Sequence, residues 1–318
     1  MKQSREFSRE VYVGIDIGGT KSAVTLGEFT KGKTTKPDII DKIKFPTNPQ
    51  EPIKRKYGEV LEEFVFHIKT LLEKHKVKIK SIGISCGGPL DSKKGIIMSP
   101  PNLPGWDNVE IVKYFRDTFG VESFLQNDAN ACAMAEWKFG AGRGTQNMIF
   151  LTFGTGLGAG LIIDGRLFTG ATDMAGEIGH VRCEDEGPVG YEKAGSFEGF
   201  CSGGGIAQLG KIMGLSPGMS AKDIAQGAYE GNELCKKVYE ISGQKLGKML
   251  SILIDVLNPE AIVIGGIFTR CSDLLLPHVE SIIRDETLAY SRSACRILPA
   301  ELGEFVGDYS ALAVAGMI

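Results

Sequence analysis

A glycine- and threonine-containing segment near the start of the chain has residue types that bind phosphate. The sequence DIGGTK occupies positions 16–21. Glycines let backbone N–H groups approach phosphate oxygens, threonine and lysine add donors, and an aspartate at a strand end can orient hydrated magnesium. An ordinary glycine hairpin explains the motif equally well when it is taken alone. The residues concerned are Asp16, Gly18, Gly19, Thr20 and Lys21.

A second segment of this kind begins at position 153 with the sequence FGTGLGAG. Alternating glycines are poor strand material, so Gly154, Thr155 and Gly156 predict another phosphate-facing turn. Two such turns in equivalent places are far more specific than one. Gly265 and Gly266 end a short apolar run and suit either an adenosine pocket or a plain strand-to-helix turn.

Polar residues in three further motifs could bind and activate a hydroxylated ligand. Asp128, in NDANA, is a candidate general base for a hydroxyl, although the same residue could simply cap a helix. Glu177, His180 and Glu198 could hold hydroxyl groups, and the PNLPGW loop offers Asn102. A structural histidine and a proline-rich surface turn are the alternatives. The segment GIAQLGKI at 205–212 resembles a Walker A loop but lacks its final serine or threonine, so we expect a helix there.

The elements that position these motifs alternate between strands and helices, which indicates the α/β class. Strand, glycine turn and strand open the chain and recur from position 148, so we infer a diverged internal duplication. Apolar spacing predicts helices at 57–75, 109–119 and 129–138, a long helix at 233–256 and a final helix at 309–318. Strands are expected at 11–17, 22–26, 39–45, 82–86, 122–126, 148–153, 158–163 and 261–264.

Composition excludes several classes of protein. The 318 residues contain 36 basic and 39 acidic side chains, so we expect no nucleic-acid partner. The longest uncharged stretch, 144–163, carries glycines and polar residues, so we expect no membrane span. Seven cysteines without a CxxC pair, together with a start too charged for a signal peptide, predict a cytoplasmic location.

The ordered motifs DIGGTK, CGGP, PNLPGW, NDANA, FGTGLGAG, EIGH, FE and VIGG resemble the ROK family of sugar kinases and repressors, within the actin-like, hexokinase-type ATPases. The resemblance covers residues 11–318. It implies two ribonuclease-H-like lobes, with ATP and sugar in the interlobe cleft and the final helix folded back on the first lobe. The implied lobes are 1–127 plus 305–318, and 128–304. The family also implies a homodimer.

The resemblance also assigns roles to individual residues. It makes Asp128 the catalytic base, residues 16 and 18–21 the first phosphate and magnesium site, residues 154–156 the second phosphate turn, and Gly265 and Gly266 the nucleotide pocket. The implied sugar ligands are Asn102, Asn127, Glu177, His180 and Glu198. ATP and Mg²⁺ are the implied cofactors.

One family motif is missing from this sequence. Many members carry three zinc-binding cysteines before the last sugar glutamate, where this chain has Val189, Tyr191 and Ser196. A substitute set of His180, Cys183 and Cys201 is one ligand short of the usual four. We therefore expect no tightly bound zinc. We expect ordinary packing to hold the loop at 184–195, with Tyr191 filling the vacated space and the loop mobile until sugar binds.

The resulting hypothesis is an ATP-dependent hexokinase, with glucose as the first choice of substrate. The enzyme alternative is a kinase for another hexose or an N-acetylhexosamine, such as fructose, N-acetylmannosamine or N-acetylglucosamine. A sugar-responsive repressor is the second alternative, but only ten residues precede Val11, too few for a DNA-binding domain. An actin-like scaffold or chaperone ATPase would need the phosphate turns but not the set of sugar ligands.

Overall fold

The computed structural model describes residues 9–29, 36–48 and 55–317. The strands are β1 (Arg9–Ile17), β2 (Lys21–Glu28), β3 (Asp38–Pro46), β4 (Val77–Cys86), β5 (Leu90–Asp91), β6 (Ile96–Ile97), β7 (Ser123–Asn127), β8 (Met148–Phe153), β9 (Leu157–Ile163), β10 (Arg166–Phe168), β11 (Val189–Gly190), β12 (Lys193–Ala194), β13 (Ala261–Ile264) and β14 (Arg296–Pro299). The helices are α1 (Tyr57–His75), α2 (Ile111–Phe119), α3 (Asp128–Phe139), α4 (Phe197–Phe200), α5 (Gly203–Ile212), α6 (Ala221–Tyr229), α7 (Glu233–Leu257), α8 (Ile267–Glu286), α9 (Ala289–Ala294) and α10 (Val306–Ala315).

The chain divides into two compact units. The first comprises Met1–Gly140, Thr169–Met174 and Glu304–Ile318, and the second comprises Ala141–Phe168 and Ala175–Gly303. This division corrects the predicted lobes, because α3 belongs to the first unit and the boundary lies after Gly140 rather than after residue 127. The physical reason is that α3 packs extensively on α10, which is itself part of the first unit.

Each unit is built on a five-stranded mixed sheet of the same plan. The strand order is β3-β2-β1-β4-β7 in the first unit and β10-β9-β8-β13-β14 in the second. In both sheets an antiparallel meander supplies three strands, and two further strands run parallel to the first strand of that meander. The repeated plan agrees with the inferred duplication, and the α/β class is confirmed.

The final helix packs on the sheet of the first unit, as the resemblance implied. Helix α10 contacts β1, β4 and α3. Its approach to β4 depends on Gly83, where a Cβ atom would lie 2.2 Å from the Ala311 carbonyl oxygen, and Ser81 donates a hydrogen bond of 2.7 Å to the Ala315 carbonyl. The helix spans Val306–Ala315, so it begins earlier than predicted, and Ile318 lies outside the described residues.

Most predicted elements are confirmed within a few residues, and α1, β8 and β13 match to the residue. The segment at 205–212 is the body of α5, as its apolar spacing predicted. Strands β10 and β14 were not predicted, because each is short and begins with an arginine, whereas the four residues of β13 form an entirely apolar, buried run. All seven cysteines are free thiols. Within the described residues, no helix is both long and apolar enough to cross a membrane.

Candidate active site

The first glycine turn is closed and braced by hydrogen bonds. The Gly18 N–H donates to the Lys21 carbonyl at 3.1 Å. Thr47 Oγ1 donates to the Gly18 carbonyl at 2.7 Å, and Asn48 Nδ2 donates to the Gly19 carbonyl at 3.1 Å. Thr47 and Asn48 follow β3 and belong to no motif, so nothing in the sequence pointed to their role in shaping this turn.

Two predicted carboxylates lie at the same edge of the first sheet. Asp16 is near the end of β1 and Asp128 directly follows β7; both strands run parallel to the β4 strand between them, so their carboxyl ends share one edge. Burial raises the pKa of Asp16 to about 7, and the charges of Asp128 and Asp308 add to that rise, while Lys42 and Lys44 oppose it. An ionised Asp16 is therefore destabilised by its surroundings, and a cation bound there would relieve the repulsion.

Asp128 is the first residue of α3 rather than its cap. The cap is Asn127, whose Oδ1 accepts from the backbone N–H groups of Ala129 and Asn130 at 3.0 and 3.3 Å. The Asp128 residue is exposed, yet protein atoms crowd its carboxyl, and this desolvation raises its pKa; hydrogen bonds from the Ala129 N–H, its own N–H and Asn127 act in the opposite direction. Capping therefore does not account for Asp128.

The PNLPGW loop lies against the glycine segments of the first unit. A Cβ atom at Gly19 would lie 2.6 Å from the Asn102 carbonyl oxygen, and one at Gly87 would lie 3.2 Å from Asn102 Nδ2. One at Gly88 would lie 3.4 Å from Asn127 Nδ2. The first unit thus gathers at one sheet edge the predicted residues of three separate chain segments, namely residues 16–21, Asn102, and Asn127 with Asp128.

The second glycine turn packs against two other backbone segments of the second unit. The Gly154 N–H donates to the Gly156 carbonyl at 3.0 Å, and the Gly203 N–H, at the start of α5, donates to the Gly154 carbonyl at 2.8 Å. Gly266 has φ of +70°, and a Cβ atom there would lie 2.1 Å from the Phe153 carbonyl oxygen. Only glycine satisfies both conditions, so the Gly265–Gly266 segment is fitted to the end of β8.

Glu198 is connected directly to the second glycine turn. Its Oε2 accepts from the Leu157 N–H at 3.0 Å. Gly156 leaves room for this contact, since a Cβ atom there would lie 2.7 Å from the same oxygen. Ser196 caps the short helix α4 that carries Glu198, accepting from the Gly199 N–H at 3.1 Å.

Glu177 and His180 are exposed and are held beside β9 by glycines. A Cβ atom at Gly179 would lie 2.2 Å from the Leu157 carbonyl oxygen, and Gly176 has φ of +96°. Because Leu157 also bonds Glu198, one residue of β9 contacts both chain segments that carry the predicted sugar ligands of this unit.

The loop that replaces the family's cysteine motif folds as a short hairpin. Strands β11 and β12 pair within it, the Gly195 N–H donates to the Pro188 carbonyl at 3.0 Å, and Arg182 donates to the Ala194 carbonyl at 2.9 Å. The expectation that Tyr191 fills a vacated interior space is wrong, because Tyr191 is 53% exposed at the hairpin tip. Backbone pairing, rather than side-chain filling, holds the loop.

The two candidate substitute thiols have separate partners. Cys183 lies 3.9 Å from Glu184 Oε1, and Cys201 donates to the Ser242 carbonyl at 3.7 Å. Within residues 9–29, 36–48 and 55–317, no group of three or more histidine, cysteine, aspartate or glutamate side chains is arranged to hold a metal ion. The expectation of no bound zinc stays a prediction.

A cavity of about 850 Å³ opens beside the second glycine turn, and Gly154 and Thr155 line it. Aromatic and apolar side chains form much of its wall, with polar groups among them. The lining includes the side chains of Lys222, Gln226, Tyr229, Tyr239, Ile267, Arg270 and Cys271. Gly265 and Gly266 do not line it, although the residues that follow them in α8 do. Sequence reasoning missed these residues, because they are scattered over α6, α7 and α8 and form no motif.

The tyrosines of this cavity are fixed by hydrogen bonds. Tyr239 donates to the Ala221 carbonyl at 2.8 Å, and Tyr229 donates to Asp273 Oδ1 at 2.7 Å. Helix α8 has a non-helical residue at Cys271, where it meets the cavity. The cavity is therefore a preformed, largely apolar space next to a turn suited to phosphate.

Known proteins resemble this chain along nearly its whole length. It is 31% identical to a glucokinase of Halalkalibacterium halodurans over 316 residues, which covers 93% of this chain and 92% of the relative. It is 26% identical to the NagC transcriptional dual regulator of Escherichia coli, covering 91% of this chain and 71% of the relative. The crystal structure of a ROK family glucokinase from Streptomyces griseus, in complex with glucose and AMPPNP, matches with a TM-score of 0.74, 26% identity and coverage of 96% and 99%. The model of the ROK family matches residues 12–316, and the chain belongs to that family.

Proposed function

We propose that this protein is an ATP-dependent hexokinase that phosphorylates the primary hydroxyl of glucose. The observation that carries the proposal is Asp128, an exposed residue that starts α3 at the same sheet edge as Asp16 and is not needed as a helix cap. The similarity to a glucokinase at 31% identity over 93% of the chain supports glucose as the sugar. Seven free thiols fit a reducing compartment, the cytoplasm.

Asp128 is the proposed general base. A carboxylate with a raised pKa accepts a proton more readily than an ordinary aspartate, and it can take the proton of the sugar hydroxyl as that oxygen attacks the γ-phosphate. The N-terminus of α3, where Asp128 lies, favours the ionised form of the carboxyl and opposes the effect of burial. Phosphoryl transfer otherwise depends on positioning and charge neutralisation.

The two glycine turns are the proposed phosphate sites. Gly18, Gly19, Thr20 and Lys21 form the first turn, and Gly154, Thr155 and Gly156 form the second. Asp16 would hold Mg²⁺ through its carboxylate, and the repulsion it experiences from neighbouring carboxylates fits a group that binds a cation. When bound, Mg²⁺ neutralises charge on the phosphate oxygens.

The cavity beside the second turn is the proposed nucleoside pocket. Its volume of about 850 Å³ suits a nucleoside, and its tyrosine and aliphatic walls suit the faces of a purine. Gly154 and Thr155 belong both to the cavity and to the turn, so a nucleoside bound there would place its phosphates at the turn. Arg270 and Lys222 are the cations of the wall.

The proposed sugar ligands are Asn102 and Asn127 in the first unit and Glu177, His180 and Glu198 in the second. Carboxylates, amides and an imidazole are suited to sugar hydroxyls because each can accept or donate hydrogen bonds in a fixed direction. Glu198 has one oxygen committed to the Leu157 N–H, which leaves its other carboxylate oxygen for a hydroxyl.

A sugar panel tests the proposal. ADP release is followed by a coupled assay with glucose, fructose, mannose, N-acetylglucosamine and N-acetylmannosamine, each with Mg²⁺ and ATP. We expect the highest kcat/KM with glucose and a loss of turnover in Asp128→Asn. A higher kcat/KM with another sugar would identify that sugar, rather than glucose, as the preferred substrate. The absence of sugar-dependent ADP release with every sugar would favour a sugar-responsive regulator, the function of the NagC relative.

A further inference from the structure

The imidazole of His180 has an aromatic neighbour at the tip of the β11–β12 hairpin. The rings of His180 and Tyr191 meet edge to face, with centroids 5.8 Å apart and an interplanar angle of 83°. Tyr191 is 53% exposed, so this ring does not contribute to a hydrophobic core. A large aromatic side chain left exposed at a tight turn, and in contact with an exposed histidine, calls for an explanation other than stability.

The backbone of the turn is also unusual for its residues. Tyr191 and Glu192 form a two-residue loop, and their φ angles are +49° and +59°. Hairpin loops with two positive φ angles strongly favour asparagine and glycine, because larger side chains are strained there. Tyr191 therefore occupies a position where asparagine or glycine would form a more stable turn. Residues with strained backbone angles of this kind are concentrated at functional sites.

The hairpin is anchored at both segments that carry candidate sugar ligands. Lys193 Nζ donates to the His180 carbonyl at 2.8 Å. At Gly190 a Cβ atom would lie 2.8 Å from Glu198 Cβ, and Ser196 Oγ donates to the Gly190 carbonyl at 3.1 Å. These contacts fix the base of the hairpin, and with it the place from which Tyr191 reaches His180.

We propose that Tyr191 is a positioning residue for sugar binding, whose ring holds the His180 imidazole in the orientation that contacts a sugar hydroxyl. The inference rests on the proposed function and goes beyond it, because Tyr191 is neither a sugar ligand nor part of a glycine turn. The ring restricts rotation of the imidazole before sugar arrives, so less rotational freedom is lost on binding. With the turn in this backbone conformation, the ring lies against His180.

Two substitutions separate the ring from the turn. Tyr191→Phe keeps the ring, and Tyr191→Asn removes it while supplying a residue that suits a positive φ. We expect Tyr191→Phe to retain the wild-type KM for glucose, and Tyr191→Asn to raise that KM about two- to tenfold, the range of an aromatic pair. In neither variant should the KM for ATP rise or the Tm fall. Tyr290→Asn, at a tyrosine that is 92% exposed on α9, is the matched control and should leave both KM values unchanged.

The kinetic results show whether the ring of Tyr191 or the structure of the turn affects sugar binding. A wild-type KM for glucose in Tyr191→Asn would overturn the inference, because the ring would then be dispensable. Equal increases in Tyr191→Phe and Tyr191→Asn would also overturn it, since the phenolic hydroxyl rather than the ring would be responsible. A rise in the KM for ATP together with a lower Tm would show a structural role and overturn it as well.

A second measurement does not depend on catalysis. The chain has four histidines, so the imidazole signals of histidine-labelled protein can be assigned, with His180→Asn identifying that of His180. We expect the His180 ring signal to shift in Tyr191→Asn and to stay in place in Tyr191→Phe, without sugar or ATP present. An unshifted signal in Tyr191→Asn overturns the inference. If the wild-type protein phosphorylates no sugar, the proposed function is overturned instead. The histidine spectrum still tests the contact between Tyr191 and His180, because it is recorded without substrate.

Discussion

Glu198 Oε2 accepts a hydrogen bond of 3.0 Å from the backbone N–H of Leu157, the residue that immediately follows the second glycine turn. A candidate sugar ligand and a candidate phosphate turn are therefore joined by one contact within the second unit. The contact exists because Gly156 has no side chain, since a Cβ atom there would lie 2.7 Å from the same carboxylate oxygen. A substitution at Gly156 should therefore alter the position of the Glu198 carboxylate, and a substitution at Glu198 should alter the glycine turn.

Gly156→Ala should raise the KM for glucose and the KM for ATP together. The added methyl group would displace the Glu198 carboxylate and break its bond to Leu157, while it also narrows the turn. Gly154→Ala is the comparison, because a Cβ atom there has its nearest contact at 3.6 Å, an ordinary van der Waals distance. Steady-state kinetics should show an effect of Gly154→Ala on ATP alone. A glucose KM that stays at its wild-type value in Gly156→Ala would contradict the coupling.

Glu198→Ala should raise the KM for glucose far more than the KM for ATP. Removing a carboxylate that binds a sugar hydroxyl leaves that hydroxyl unpaired, at a cost of about 1–3 kcal/mol. This cost corresponds to an increase in the KM for glucose of roughly 5- to 150-fold. Glu198→Gln separates the two roles of this side chain, because its amide oxygen can still accept from Leu157. We expect Glu198→Gln to keep the wild-type KM for ATP. Equal increases for both substrates in both variants would indicate a structural role instead.

Asp128→Asn should lower kcat by about a hundredfold or more while ATP still binds. Stability should hold, because the cap of α3 is Asn127 and not Asp128. Asn127→Ala is the informative partner, since removing a cap costs about 1 kcal/mol and should lower the Tm. The measurements are kcat, the Kd for ATP and thermal unfolding of each variant. Wild-type turnover in Asp128→Asn would remove the base assignment.

The binding of Mg·ATP should weaken as the pH falls below about 7, the value to which the pKa of Asp16 is raised. Only the ionised carboxylate binds a cation, so protonation below that pH competes with the metal. A single group with this pKa predicts a rise in Kd of about fivefold between pH 7 and pH 6. Because the folded protein holds this proton more tightly than the unfolded chain, Asp16 lowers stability progressively as the pH rises from about 4 to 7.

Asp308→Asn should move the midpoint of this titration to lower pH. Asp308 is buried and paired with Lys42, and its charge contributes to the raised pKa of Asp16. Titration calorimetry of Mg·ATP across pH measures the shift. Asp117→Asn is the control, because Asp117 is an exposed carboxylate of the same unit, paired with Lys113 on α2. An unmoved midpoint in Asp308→Asn would show that Asp308 does not influence Asp16.

Protein that is purified without chelators should contain far less than one zinc ion per chain. Ser196 and the β11–β12 pairing support the loop in which the family carries its cysteines, and Cys183 and Cys201 each have another partner. Elemental analysis gives the zinc content directly. About one zinc per chain, lost together with activity in Cys183→Ser, would show that a substitute site exists.

The sequence by itself determined the class of fold and the repeat, and it supplied the candidate residues of the site. Strand, glycine turn and strand occur twice, and glycines that would let backbone N–H groups approach a phosphate are visible without coordinates. Apolar spacing located α1 and β8 to the residue, because long periodic segments and buried runs carry strong signals. The candidate residues of the first unit, such as Asp16 and Asp128, do share one sheet edge.

Tertiary structure decided what depends on packing between distant segments. The assignment of α3 to the first unit follows from its contact with α10, which lies far along the chain. The cap of α3 is Asn127 rather than Asp128, and only the backbone geometry distinguishes two adjacent polar residues. The cavity beside Gly154 draws on α6, α7 and α8, and the contact of Tyr191 with His180 bridges a loop. These features arise from side chains brought together by the fold, and local patterning in a sequence carries no record of them.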